Sequence, residues 1–111
     1  MEQVDIERNM KDAVRKIEEV GGLYAEAKGL SYQMQKLREV VLAREMKHHT
    51  GTNAKREMEA RCSDVYVEHL KGVAQAITTE TRLKAQYERW QAQYEACRSL
   101  LSLEKAKTRM I

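Results

Sequence analysis

His48 and His49 stand side by side in the stretch MKHHTGTNAKREMEARC, residues 46–62. Two imidazoles suggest a metal ion or a proton in transit as the first chemistry to consider. Neighbours on a helix point about 100° apart, so the pair does not share one face as the i, i+4 histidines of a metal-binding helix do. His69 is remote in sequence, and no Cys or carboxylate completes a familiar ligand spacing. Cys62 and Cys97 form no CxxC motif. Both fall at positions that read as apolar, where a reduced thiol packs as a small hydrophobe. No nucleophile, base and orienting residue follow one another in a recognisable order, and no Gly-rich run is present to cradle phosphates. These residues therefore predict no enzyme, no metal and no cofactor.

Positive charge is the stronger lead. The chain carries 20 Lys and Arg against 17 Asp and Glu, and the excess is uneven. Residues 1–28 hold five basic and seven acidic groups, residues 29–62 seven and four, and residues 63–111 eight and six. The middle segment contains Lys36, Arg38, Arg44, Lys47, Lys55, Arg56 and Arg61. Lys47, His48, His49, Lys55, Arg56 and Arg61 are candidate contacts for nucleic acid or an acidic partner, beside the free N–H groups of a helix start. Lys105, Lys107 and Arg109 form a second basic cluster. Both signs are interspersed, as on an ordinary soluble surface, so any phosphate binding here would be salt-sensitive and blind to base sequence.

The elements that must carry these residues are helices. The chain has 111 residues, no Pro, no Phe and five Gly, so it lacks the usual punctuation of strands and loops. One domain is the upper bound at this length. From Ile6 the apolar positions run Met10, Ala13, Ile17, Val20, then Leu23, Ala27, Leu30, Met34, Leu37, Val41. That is a coiled-coil seam with a three-residue step at Gly21-Gly22, which would overwind or break the helix. The second half gives Met58, Cys62, Tyr66, Leu70, Val73, Ile77, then Leu83, Tyr87, Trp90, Tyr94, Cys97, Leu101. The patch TTETR interrupts it, and its β-branched residues predict a weak point over 78–82. Tyr87, Trp90 and Tyr94 lie among Arg82, Lys84, Arg89 and Arg98 and could stack on bases, but their seam positions make them core first. Between the seams, Gly51 suits the left-handed residue that closes helix one, and Thr52 the N-cap that opens helix two.

The spacing thus predicts an all-α chain, a long antiparallel helical hairpin that is coiled-coil-like. Helix one spans about 4–49, a turn about 50–52 and helix two about 53–109, with a bend or a break near 21–22 and another near 78–82. Ile17, Leu30, Met34, Leu37, Val41, Leu70, Leu83, Tyr87, Trp90, Tyr94 and Leu101 form the seam that holds the hairpin and an oligomeric bundle together. On that register Leu37→Asp would bury an unpaired charge and be severe. No signal peptide and no apolar run of about 20 residues is present, which predicts a cytoplasmic protein without a membrane span.

The run GTNAKREMEARCSDVYVEHL, with YEACRSLLSLEKAK further on, resembles small helical accessory proteins encoded by tailed bacteriophages. The matching residues are Gly51, Thr52, Ala54, Arg56, Glu57, Ala60, Tyr66, Arg98, Ser99 and Ser102; Met58 departs from the usual Arg-Glu-Ala. The resemblance covers roughly the second half. It implies a phage or prophage setting among recombination and replication genes, near single-strand annealing proteins and nucleases, in the cytoplasm of a bacterial host. It implies no mechanism.

Four functions fit these readings. The first is a non-catalytic, homo-oligomeric protein that presents a helical face to a protein partner of phage or host DNA metabolism. The second is direct, sequence-independent DNA binding through the basic tip. An inhibitor of a host defence nuclease and a helical assembly chaperone are the other two, the last requiring an open apolar groove.

Overall fold

The structure, a computed structural model, describes residues 2–110. It contains α1 (Gln3–Met46), α2 (Asn53–Arg61) and α3 (Asp64–Met110), and no strand among the described residues. The fold is all-α, with α1 and α3 as the arms of a long antiparallel hairpin. No helix is long and apolar enough to cross a membrane.

Helix one stops at Met46, three residues before the expected end, and the second arm is two helices rather than one. The break falls at Cys62-Ser63. The Cys62 and Ser63 amides bond the carbonyls of Glu59 and Ala60 three residues back, which tightens and closes α2. The Ser63 hydroxyl then accepts the Tyr66 amide at 3.2 Å as the N-cap of α3. Asp64 adds a carboxylate in the first turn, where the helix dipole favours it. Thr52 caps α2 as expected, accepting the Lys55 amide at 3.2 Å. Gly51 does adopt a positive φ of 112°, but inside the Lys47–Thr52 loop rather than as the cap of α1.

Neither interior position is broken. α1 runs unbroken through Gly21-Gly22 and α3 through residues 78–82. The Thr78 hydroxyl donates to the Ala74 carbonyl at 2.9 Å, satisfying its polar group inside the helix. Gly21 has a packing reason instead: a Cβ there would stand 3.0 Å from the Tyr87 ring. Gly22 has none, since a Cβ would meet nothing within 4 Å. Gly22→Ala should therefore stabilise the protein by about 0.5–1 kcal/mol through helix propensity and the unfolded chain's entropy. A thermal melt checks this, and an unchanged or lower midpoint would contradict it.

The buried and half-buried positions of α1 also show no phase shift. They run Ile6, Met10, Ala13, Ile17, Val20, Tyr24, Ala27, Ser31, Met34, keeping steps of 4 and 3 throughout. Arg38, next in rhythm, is exposed, and the row resumes at Val41, Leu42 and Glu45. On α3 the row is Tyr66, His69, Val73, Ala76, Glu80, Leu83, Tyr87, Trp90, Tyr94, Cys97, Leu101, Glu104. Ile17, Met34, Val41, Leu83, Tyr87, Trp90, Tyr94 and Leu101 are half-buried in these rows. Leu30, Leu37 and Leu70 are not: they are 55%, 49% and 37% exposed, Leu30 and Leu70 each one residue from the inner row. Ile77, Met58 and Cys62 are exposed as well.

The chain forms two compact units. One comprises the segments up to Ala25 and from Arg82. Here Ile6, Ala13, Val20 and Cys97 are buried, and the Tyr24 and Tyr87 rings lie 5.9 Å apart, tilted by 35°. The other comprises Glu26–Thr81 and contains the turn and α2. Leu42, Ala60 and Tyr66, one from each helix, form its core, with Val41 and Met46 packed against them. Further along, His69 Nε2–H donates to the Met34 carbonyl at 2.9 Å, and Met34 lies over Gly72.

Candidate functional site

The basic tip is built from the loop, α2 and the start of α3, all within the Glu26–Thr81 unit. Three of its six candidate contact residues hold the tip together. Arg56 Nε donates to the Met46 carbonyl at 3.2 Å, an acceptor shared with the His49 amide, and so ties α2 to the end of α1. His49 Nδ1 lies 2.9 Å from Glu59, so the loop is fastened to α2. Arg61 pairs with Glu57 at 2.7 Å and donates to the Tyr66 hydroxyl at 3.5 Å. The Glu57 hydrogen bond raises the Arg61 pKa above its ordinary value. Lys47, His48 and Lys55 are exposed and take part in no ion pair among the described residues. The tip therefore offers two lysines and one imidazole, a much thinner patch than six cationic groups.

Of the second cluster, Lys107 pairs with Glu104 at 3.5 Å, while Lys105 and Arg109 are exposed and take part in no ion pair among the described residues. Arg98, one of the residues in the phage-protein resemblance, pairs with Glu95 at 3.2 Å. With Ser99, Ser102 and Leu103 it lines a shallow open depression on α3. Tyr87, Trp90 and Tyr94 are half-buried between α1 and α3. The Tyr87 ring lies against Tyr24, and the Arg89 guanidinium stands 5.9 Å from the Trp90 ring.

Among the described residues, no group of three His, Cys, Asp or Glu side chains could hold a metal ion.

The feature that the sequence did not bring forward lies between α1 and α3. In the Glu26–Thr81 unit, Ala27, Leu30 and Met34 of α1 face Gly72, Gln75, Ala76 and Thr79 of α3 across a groove of about 290 Å³. Gly72 and Ala76 bring no large side chain to the α3 side of the groove. Leu30 forms its outer lip, and Leu37 and Val40 continue an apolar strip along α1. On α3, Leu70 and Ile77 stand exposed seven residues apart. Exposing large apolar side chains while Ser31, His69 and Glu80 occupy inner positions is the reverse of what an isolated hairpin needs. No protein-family model, no curated protein and no solved structure matches the chain.

Proposed function

We propose that this chain is a non-catalytic protein-interaction module whose outward apolar rows are contact faces for other helices. It would act among the proteins of DNA recombination or replication, in a phage or prophage setting inside a bacterial cytoplasm. The observation that carries the reading is the exposure of Leu30, Leu37, Val40, Leu70 and Ile77 beside an apolar groove lined by Ala27, Gly72 and Ala76. A helix laid against such a surface recovers the burial that the hairpin forgoes. The DNA-metabolism setting rests on the resemblance of residues 51–70 and 94–107 to phage accessory proteins. A photo-crosslinking amino acid in place of Ile77 tests the reading in bacterial cells. The expected adduct joins the chain to a protein that handles nucleic acid; adducts to nucleic acid itself, or to no other protein, would contradict it.

Direct DNA binding is the second reading, favoured by Lys47, Lys55, Lys105 and Arg109, which stand free of ion pairs among the described residues. Its test is the double variant Lys47→Glu, Lys55→Glu, because Arg56 anchors the tip and altering it would confound folding with binding. If the tip binds phosphates, retention of single-stranded DNA is lost in that variant and falls steeply in wild type between about 50 and 200 mM salt. Equal retention by variant and wild type would remove the tip from consideration.

A further inference from the structure

The exposed strip of α1 has a second helical rhythm of its own. Glu26, Leu30, Gln33, Leu37, Val40 and Arg44 follow one another in steps of 4-3-4-3-4, and all six are exposed. This is coiled-coil spacing on a face that the hairpin leaves outside. The sequence of types along it reads differently from each end. Glu26 opens it and Arg44 closes it, and neither is in an ion pair among the described residues.

We propose that this face binds a second copy of the same chain, antiparallel, about a two-fold axis at the level of Gln35. Such an axis sets Leu30 of one copy opposite Val40 of the other, Gln33 opposite Leu37, and Glu26 opposite Arg44. Each pairing occurs twice, as an isologous interface requires. The two charge pairs therefore bracket, at both ends, a centre in which Leu30, Leu37 and Val40 surround Gln33, and a parallel arrangement would instead set like charges against each other. That charge complementarity, contained within one strip of one helix, selects a second copy over an unrelated helix.

The flanks of the strip admit a close neighbour. Gly29 and Ala43 lie along one side, and Ala27, Met34 and Val41 along the other. The groove floored by Gly72 and Ala76 opens beside the latter. Lys36 is the charged residue nearest the axis, and its ammonium sits over its own Tyr32 ring, 4.7 Å from the centroid. The inference shares with the function proposed above only the reading of outer apolar rows as contact faces. Its test uses the purified chain alone, so a monomeric result leaves partner binding through the α3 row standing. A missing partner, likewise, leaves the dimer standing.

The experiment is sedimentation equilibrium of the full chain across a concentration series, with charge reversals. Wild type should rise from 12.9 kDa to twice that mass. Glu26→Arg and Arg44→Glu should each weaken association about tenfold or more, since each sets like charges opposite at both ends. The chain carrying both reversals restores the opposite pairing and should associate to within about threefold of wild type. An equimolar mixture of the two single variants should also recover association. Leu30→Asp should leave a monomer with unchanged helical circular dichroism, because its side chain is half outside the fold already. A wild type that stays at 12.9 kDa, single reversals that associate as wild type does, or a double reversal as weak as the singles would each overturn the proposal.

Discussion

Tyr66→Ala should lower stability by about 3–5 kcal/mol, as removal of a buried aromatic ring does elsewhere. Tyr66 is 3% exposed and meets Leu42 of α1 and Ala60 of α2, so one ring joins all three helices of the Glu26–Thr81 unit. With total stabilities of about 5–15 kcal/mol for domains, the loss is a large fraction of the whole. For a chain of this size it corresponds to a fall of about 12–20 °C in the unfolding midpoint. Tyr66→Phe is the informative control. It keeps the ring and removes only the hydroxyl, which accepts a long 3.5 Å bond from Arg61, so it should cost about 1 kcal/mol or less. A small effect of the alanine variant would mean that α2 is not packed against the two long helices.

The second large effect separates two neighbouring positions. Ser31 is fully buried and its hydroxyl accepts from the Gln35 amide at 2.9 Å, whereas Leu30 beside it is 55% exposed. Ser31→Asp places an unpaired carboxylate between the helices and should cost about 3–5 kcal/mol. Leu30→Asp should cost the folded chain only about 1 kcal/mol, mostly helix propensity. Denaturant unfolding of both variants checks this at protein concentrations where association plays no part. The usual expectation, that replacing Leu by Asp is worse than replacing Ser by Asp, is inverted. By the same reasoning Leu37→Asp, severe if Leu37 were in the seam, should leave the hairpin folded.

That inversion explains what the sequence could and could not disclose. Two long arms, the loop between them and the Thr52 cap were legible, because 3-4 spacing and capping chemistry are local properties of the chain. The register was not. Reading a seam by picking the larger apolar residue at each turn selects Leu30 over Ser31, Leu70 over His69 and Ile77 over Ala76, and adds Leu37 at a turn where Arg38 is exposed too. To keep a 3-4 rhythm after Val20, that choice requires a phase shift, and Gly21-Gly22 offered a place for it. The actual inner row needs no shift, and it accepts Ser31, His69 and Glu80 because two of the three are satisfied locally. Ser31 bonds Gln35, and His69 bonds the Met34 carbonyl. A pair of apolar rows on one helix, one turned inward and one outward, is the pattern that a single-seam reading merges.

The break at Cys62-Ser63 was legible in principle. Ser63 followed by Asp64 is an N-cap with an acidic first turn, the same logic that located Thr52. It was masked because Met58, Cys62 and Tyr66 carry the rhythm across it, although Met58 and Cys62 turn out exposed. The basic tip shows the complementary limit. Counting Arg56, His49 and Arg61 as free cations treats composition as surface, whereas the fold spends them on Met46, Glu59 and Glu57.

α1 turns Ser31 inward and Leu30 outward, and both the inner row and the outer strip follow from that orientation. Thiol alkylation measures it directly, using Leu30→Cys and Ser31→Cys, each in a Cys62→Ser background that removes the exposed native thiol and leaves buried Cys97. The Leu30→Cys thiol should react at the rate of a free thiol in dilute protein and slow as concentration rises. The Ser31→Cys thiol should remain protected throughout. Equal rates at the two positions, or a faster reaction at position 31, would contradict the account.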